Sequence, residues 1–533
     1  MNQLTSKRKL AVTIALMATM FFAAINQTII SSALPGIIAQ LGGMEYYSWV
    51  ITIYMLTSTI STILVGKLSD IYGRKKFILS GIFIFLVGTF LIGLSTNIFQ
   101  MIGFRALQGV GGGILMSITL TAIGDLYPVQ ERAKWTGMMM SVFGFSSVIG
   151  PVLGGVLVDY IDWKWLFWIF LPLGVVAFVM IWRMFPKTNG DGSGSIDFVG
   201  SILLAISISS LLFGFSWAGS KYAWCSPQIL GLFVITIIGI SAFILVESKV
   251  KNPIIPLSIF KNKGVTISLI ASFVMSGGMM GAMSYMPFFI QGVQGQSATT
   301  SGLYNIPMSI MMIIFSALVG RWLSKSGNYR LFAAAGLGIM SASMIIMANM
   351  GSVTMAAVSL VIFGAGLGFG MTVFTTAAQN SAPLSQLGVV TATTTLFRNL
   401  GGTIFIAIFG SIMNTSMAKN METAMSSSTR VDLSKLDATT AANFKAMANP
   451  QMLLNKEKLA AIQANMPQQL QEIFTNMMDM VRKVMGDALS NVFYIGAALL
   501  LVGVIVSLFL KVKPIQADIE GDGDERDEEE LVA

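Results

Sequence analysis

Gly66-Lys67-Leu68-Ser69-Asp70-Ile71-Tyr72-Gly73-Arg74-Lys75-Lys76 stands between two apolar stretches, each long enough to cross the roughly 30 Å hydrocarbon core of a bilayer. Four cations (Lys67, Arg74, Lys75, Lys76) and one acid, Asp70, share this loop. A loop of that charge, held between spanning helices, is no part of a soluble core. It belongs at the margin of a membrane, where Arg74 to Lys76 face anionic headgroups. Gly66 and Gly73 permit close helix approach and a tight turn. Asp70 can accept hydrogen bonds from a helix N-terminus or from Arg, which suits a latch better than a bare orienting charge cluster.

Composition agrees. Of 533 residues, 54% are hydrophobic and 11% charged, against roughly 25% charged in soluble domains. The mean hydropathy of +0.74 excludes a soluble multidomain protein. The 53 glycines suit closely packed membrane helices. Net charge is +8, but the basic residues sit in short loops between apolar spans, so they orient the chain rather than bind nucleic acid. Cys225 is the only cysteine and histidine is absent. No internal disulfide, Cys or His metal site, His base or Ser-His triad is available, and no metal, cofactor or enzymatic activity is expected. No Gly-x4-Gly-Lys-Ser/Thr loop occurs either, so energy would come from an ion gradient rather than ATP.

Apolar windows fall at roughly 10–34, 48–67, 77–96, 99–121, 134–158, 164–185, 198–218, 227–247, 264–290, 302–323, 331–350, 353–378, 387–413 and 489–511. That makes fourteen. The first is too long for a signal-peptide core and no small-residue cleavage site follows, so it is expected to be a retained span. With the N-terminus in the cytoplasm, Lys7 to Lys9, the Lys67–Lys76 loop, Arg132, Lys134, Arg183, Lys187, Lys249 to Lys263, Arg321 to Arg330 and the C-terminal cations all lie inside. Only Lys164 and Lys221 lie in short outer loops, which predicts both termini cytoplasmic and a multi-pass plasma-membrane protein.

The windows read as six spans, two more, then six. Gly320-Arg321-Trp322-Leu323-Ser324-Lys325-Ser326-Gly327 repeats Gly66 to Gly73, with Ser324 in place of Asp70. Gly364, Gly366 and Gly368 echo Gly109, Gly111 and Gly113 at almost the same offset. Two echoes at one spacing indicate duplicated halves. The expected organisation is a six-helix bundle at 1–190, two inserted helices at 191–250, five helices of the second bundle at 251–413, an extracellular helical insertion at 414–488, the last span at 489–511 and an acidic cytoplasmic tail at 512–533. Within the insertion, 468–484 is amphipathic and reads either as a cap or as a lid over the outer vestibule.

Three further features carry chemistry. Arg105, in Arg105-Ala106-Leu107-Gln108-Gly109, lies within the fourth span, where a charge marks either a polar pathway or an arginine reaching out to the interface. Gly150-Pro151-Val152-Leu153-Gly154-Gly155 offers a small-residue face and a proline kink. Met275, Met279, Met280, Met283 and Met286 cluster around the ninth span, where adaptable thioethers suit either core packing or a cavity for varied apolar ligands.

The loop from Gly66 to Lys76 closely resembles the signature between the second and third helices of the major facilitator superfamily. Arg105 and its neighbours resemble the family's fourth-helix motif, and Gly150 to Gly155 resembles the motif of its antiporters. Ile25-Asn26-Gln27-Thr28-Ile29-Ile30-Ser31-Ser32-Ala33-Leu34-Pro35, Trp163-Lys164-Trp165-Leu166-Phe167 and Arg398-Asn399-Leu400-Gly401-Gly402 resemble motifs of the fourteen-spanner drug:H+ antiporter branch. The likeness covers about residues 10–412 and 489–511. It implies an all-α membrane fold, two six-helix bundles with two inserted helices. It also implies efflux of small amphipathic drugs or antimicrobials, conferring drug resistance, by proton antiport and alternating access, from a monomer embedded in the lipid bilayer. It assigns a gate to Gly66, Asp70, Gly73 and Arg74, an antiporter element to Gly150, Pro151, Gly154 and Gly155, and cavity positions to Asn26, Gln27, Ser31, Met283 and Arg398. Arg105 takes a role in proton coupling.

One departure changes the chemistry expected. Where the branch commonly carries an Asp, this chain has Asn26, and no Asp or Glu lies well inside any span. The nearest acids, Asp125 and Asp159 among them, lie at span ends, so coupling either uses one of these or departs from the family pattern. An Asn cavity also predicts a preference for neutral or weakly charged amphiphiles over permanent dications. A dedicated exporter or flippase of one metabolite, vitamin or lipid is the alternative.

Overall fold

The computed structural model describes residues 5–127, 129–186, 197–218, 221–250, 253, 255–382, 387–427, 453–454, 459, 462–464 and 466–511. The loop around 187–196, most of 428–467 and the tail at 512–533 lie outside the described residues, as do the side chains of Gly66, Asp70 and Asp125.

The chain is a succession of helices: α1 (Ser6–Thr28), α2 (Ile30–Leu41), α3 (Tyr47–Tyr72), α4 (Arg74–Gly93), α5 (Ile98–Leu126), α6 (Val129–Tyr160), α7 (Trp165–Trp168) and α8 (Leu171–Met184). Then come α9 (Phe198–Trp217), α10 (Pro227–Glu247), α11 (Lys263–Phe288), α12 (Ala298–Leu303), α13 (Asn305–Ser326), α14 (Tyr329–Ala348), α15 (Val353–Asn380), α16 (Leu387–Ser427) and α17 (Gln468–Ser507). No strand is named among the described residues. Twelve stretches of the described residues are helical, long and apolar enough to cross a membrane. Besides these, α3 is 26 residues long and α6 is 32.

Local chemistry sets the breaks. Gly73 is the single residue between α3 and α4, with φ 92° and ψ 133°, a conformation open essentially to glycine alone. Side chains of Asn97, Asp197, Ser226, Asn262, Ser297, Asn328 and Ser352 accept from the first-turn N–H groups of the helices they precede. The expected first span is two helices hinged at Ile29, with Pro35 inside the second. A proline lacks the N–H for the helical ladder and crowds the preceding turn.

The duplication is visible as packing. Added side-chain carbon at Gly109 or Gly113 would strike the α3 backbone at Tyr54 and Ser58, and at Gly111 the α4 backbone at Gly81 and Phe85. In the second half, Gly364 and Gly368 meet the α13 backbone at Met308 and Met312, and Gly366 meets the α14 backbone at Gly336 and Met340. Each glycine-rich helix thus presses one face on the helix before it and another on the helix two before. Without a hydrophobic drive between helices in lipid, such backbone contact is a main source of adhesion.

The helices α9 and α10 pack as a pair. Leu204, Ile208 and Leu212 of α9 share an apolar cluster with Leu56 of α3 and Ile404 of α16, so α9 seals one flank of the boundary between halves. Val234, Ile235, Ile237, Ile238 and Leu245 of α10 are exposed, as lipid-facing residues would be.

Two helices pass well beyond the expected membrane margin. α16 continues to Ser427, past the boundary expected at 413, and α17 begins at Gln468, ahead of 489. Forty residues of helix span about 60 Å, so both project from one face of the bundle. The amphipathic stretch buries Phe474, Met477, Met478, Val481 and Val484, and Asn491 Nδ2 donates to Ser416 Oγ across the pair at 3.3 Å.

Gly113→Leu and Gly368→Leu should each lower the melting temperature, since overpacking against backbone costs at least about 1–3 kcal/mol. Gly103→Leu, which meets nothing within 4 Å, should leave thermal unfolding of the purified protein unchanged. Equal shifts for all three would show that the glycines do not set helix spacing.

Candidate functional site

The halves α1–α8 and α11–α17 meet at the end of the bundle that holds Tyr47. The Tyr47 hydroxyl donates to the Ser284 carbonyl at 2.6 Å, and its ring packs edge-on against Phe288 at 4.2 Å. Gln291 Nε2 donates to the Ser32 carbonyl at 2.8 Å, and Asn414 Nδ2 to the Glu45 carbonyl at 3.0 Å. Gly410 lies against Ser48, and Gly402 against Met55.

The small-residue run in α6 completes this closure. Gly150 and Gly154 admit α1 and α2 through Thr28, Ile29 and Ser32, while Gly155 meets the α12 backbone at Ala298 and Thr299. Gly302 on the other half meets the Pro151 carbonyl. The Ser32 hydroxyl donates to that same carbonyl at 2.5 Å, and Thr28 donates to Ser146 at 2.9 Å, beside the ladder position that Pro151 interrupts. Asp159, exposed at the end of α6, accepts from the N–H groups of Ala298 and Thr299 at 3.1 and 2.7 Å. It therefore bridges the halves at the rim rather than standing inside the bundle.

Deeper in the first half lies a buried polar string. Arg105 is 1% exposed and does not reach out to the interface. Its Nη1 donates to Gln108 Oε1 at 2.7 Å, its Nε to the Val50 carbonyl at 3.4 Å, and its guanidinium lies 4.6 Å from the Tyr54 ring centroid. Gln108 Nε2 donates in turn to Asn26 Oδ1 at 3.2 Å and Thr89 Oγ1 at 2.8 Å. Asn26 Nδ2 donates to the Phe22 carbonyl at 2.9 Å. Asn26, Gln108 and Thr89 are fully buried. Asn26 and Arg105, far apart in sequence, are thus two ends of one network, with Asn26 facing protein and not open space in this conformation.

The string contains no carboxylate. Its charge is met by a carbonyl, an amide and an aromatic face, each a partial dipole. Gln108 joins the motifs. Sequence reading quoted it without giving it a role, although Arg and Gln three apart share a helix face.

The other expected positions separate. Gln27 and Ser31 are half-buried on the hinged first span, with the Ser31 hydroxyl donating to Thr28 at 2.8 Å. Met283 is half-buried on α11. Arg398 is half-buried on α16, where Nη1 reaches Met371 Sδ of α15 at 3.4 Å. At the far end, Gly73 supplies the turn and Lys75 Nζ donates to the Phe185 carbonyl at 2.7 Å, a tie within the first half. The Arg74 backbone opens α4. Gly66 and Asp70 lie in the last turns of α3 and Asp125 near the end of α5.

Two duplicated helical halves, closed on each other at one end and with a buried polar string inside the first, define a multi-pass membrane transporter. Residues 16–406 match the Major Facilitator Superfamily, and the chain belongs to it. Multidrug transporter protein MdtP of Bacillus subtilis (strain 168) is 37% identical over 530 residues, covering 98% of this chain and 96% of that protein. Multidrug resistance protein 3 of the same organism is 35% identical over 419 residues, covering 78% and 81%. Among solved structures, a bacterial homolog of the human lysosomal transporter Spinster, inward-facing and unoccupied, superposes with a TM-score of 0.63 at 17% identity. It covers 96% of this chain and 100% of that one, a likeness of fold.

Arg105→Ala should abolish transport, and Arg105→Lys should restore it only in part, because an ammonium lacks the planar fork that reaches Gln108 and Val50 together. Gln108→Leu should lower transport at least about tenfold by leaving Arg105 and Asn26 short of partners, a loss of about 1–3 kcal/mol. Full activity in Gln108→Leu, measured as dye efflux at matched expression, would sever the string from function.

Proposed function

We propose that this protein is a secondary active efflux transporter, exporting amphipathic drugs or antimicrobials across the cell membrane by proton antiport and alternating access. The observation that carries the reading is near full-length similarity to a named multidrug transporter. The closure between halves fits one state of an alternating-access cycle. The reading counts fourteen spans, with α3 and α6 joining the twelve apolar stretches, arranged as two six-helix bundles with α9 and α10 between them. It places both termini in the cytoplasm, so that the Tyr47 end is outer and the Gly73 end inner, and it treats the monomer as the working unit.

The inner loop acts as the gate. Asp70, at the end of α3, latches the halves when the inner side closes, Gly73 fixes the turn, and Arg74 anchors the loop to the headgroups. The outer closure works in opposition, with Gly155 on the α12 backbone, Gly302 on the α6 backbone and Asp159 over the α12 N–H groups. Proton coupling runs through Arg105 and the span-end acids Asp125 and Asp159. The test is transport of a dye panel in everted vesicles under an imposed proton gradient. Export that ignores the gradient would remove antiport, and a single accepted compound would favour a dedicated exporter.

Asp70→Ala should remain in the membrane yet lose most transport, because the latch fails while the apolar spans still insert. Normal efflux by a well-expressed Asp70→Ala protein would end the gate assignment.

Asn26→Asp offers a sharper test. Asn26 Nδ2 donates to Phe22 and its Oδ1 accepts from Gln108. A carboxyl can satisfy both only while carrying a proton. The variant should therefore gain a pH dependence absent from wild type, together with export of cations. Identical pH profiles for the two proteins would make Asn26 a packing residue.

A further inference from the structure

On α16, Arg398, Gly402, Gly410 and Asn414 fall four or eight residues apart and so form one stripe along a helix face. Three of them touch the opposite half: Gly402 at Met55, Gly410 at Ser48 and Asn414 at the Glu45 carbonyl. Arg398 is the next member, one turn or about 6 Å further from the closed end. Because α16 and α3 run antiparallel, this places Arg398 level with the middle of α3, deeper in the bundle than the hydrogen-bonded closure.

Arg398 has no carboxylate within ion-pairing distance among the described residues, and a thioether sulfur is its only hydrogen-bond partner. It remains partly accessible, with N–H donors to spare beyond the one that meets the thioether. Its surroundings are apolar and adaptable: Met371 touches it, and Met280 lies against Gly402 one turn away. Arg105, across the boundary, is the other charge well inside the spans, and the sequence places no acid at that depth. The interior is thus positive on both sides.

A guanidinium at membrane depth is costly unless an anion or strong dipoles meet it, and its planar fork matches a two-oxygen acid. Arg105 has such dipoles in the protein. Arg398 does not.

We propose that Arg398 is the headgroup site for an amphipathic oxyanion, carboxylate or sulfonate in type, whose apolar tail lies along the methionines of α11 and α15. The inference rests on the export reading and narrows its substrate class from neutral amphiphiles to anionic ones. The missing first-helix acid fits this assignment, since an acid there would repel such a substrate.

The test uses three probes of one scaffold: dansyl-aminoundecanoic acid, its primary amide and its trimethylammonium analogue. Binding to the full-length protein in phosphatidylcholine nanodiscs is followed by dansyl fluorescence. The acid should bind at least about tenfold more tightly than the amide, with the ammonium weakest, as a charge-assisted fork predicts. Arg398→Gln should bring the acid-to-amide ratio close to one, and Arg398→Lys should keep part of it. An amide or ammonium that binds wild type as tightly as the acid overturns the proposal, and so does an unchanged ratio in monodisperse Arg398→Gln protein. The wild-type comparison stands without any variant. Phosphatidylglycerol added to the nanodiscs separates two sources of the anion. Competition in wild type that vanishes in Arg398→Gln identifies a lipid headgroup as the occupant, and no competition identifies the free amphiphile. Everted vesicles keep the two failures apart. If none of the probes moves under a proton gradient, the export reading fails; if the amide moves and the acid has no advantage, only the charge assignment fails.

Discussion

Inside hydrocarbon every backbone N–H and carbonyl has to be satisfied by the chain itself, and the apolar side chains of neighbouring helices gain little by leaving lipid for one another. Adhesion therefore depends on how closely backbones approach. In this protein that constraint is met by glycine on α5 and on α15, each pressed on two neighbours at once. Those contacts lock α3, α4 and α5 into one block and α13, α14 and α15 into its counterpart. Each block acts as a rigid unit on which polar groups can be held.

The buried charge depends on that rigidity. Arg105 is held by Gln108, one turn along α5, and by the Val50 carbonyl of α3. Gly109 beside it brings α3 close enough for that carbonyl and the Tyr54 ring to reach the guanidinium. A bulkier residue would move α3 away and strip the charge of its partners. The packing motif and the polar motif are thus adjacent in sequence for one physical reason. Arg398 lacks such a cage, so the two arginines, equally out of place by hydropathy, are different objects: one held by dipoles of its own half, the other by a single thioether sulfur among the described residues.

Much of the fold was legible because membrane helices announce themselves by length and hydropathy, and because the glycine spacing of the first half recurs in the second. The loop at Gly66–Lys76 showed its turn through Gly73, whose φ only glycine readily adopts. Hydropathy could not show the full extent of α16 and α17, since α16 runs on past its apolar run and α17 begins ahead of its own as an amphipathic helix, Phe474 and Val481 being buried outside the expected span. The site was legible in pieces. Asn26 and Arg105 stood out singly, while their union through Gln108 needed the tertiary approach of α1, α4 and α5. Asp159 read as a span-end acid, and its meeting with Ala298 and Thr299 of the other half left no local trace in either segment.

The contacts within each half and those between halves differ in kind, and that difference is what alternation requires. Within a half, backbone lies on backbone over long stretches, and separation would open voids along entire helices. Between halves the contacts are more mixed: hydrogen bonds from Tyr47 to Ser284, Gln291 to Ser32 and Asn414 to Glu45 and the pair at Asp159, side-chain packing such as Tyr47 on Phe288 and Leu56 with Ile404, and a backbone crossing where Gly155 meets α12 and Gly302 meets α6. The three neutral hydrogen bonds contribute about 0.5–1.5 kcal/mol each, and the two on the exposed Asp159 carboxylate are charge-assisted but open to solvent. Their sum is a few kcal/mol, the scale on which two conformations of one protein exchange. A closure much stronger than this would hold one state permanently, and a weaker one would let both ends open together. On the proposal that Arg398 takes a substrate headgroup, substrate shifts the balance between the two states only by the difference in its affinity for them, with no covalent or metal chemistry needed.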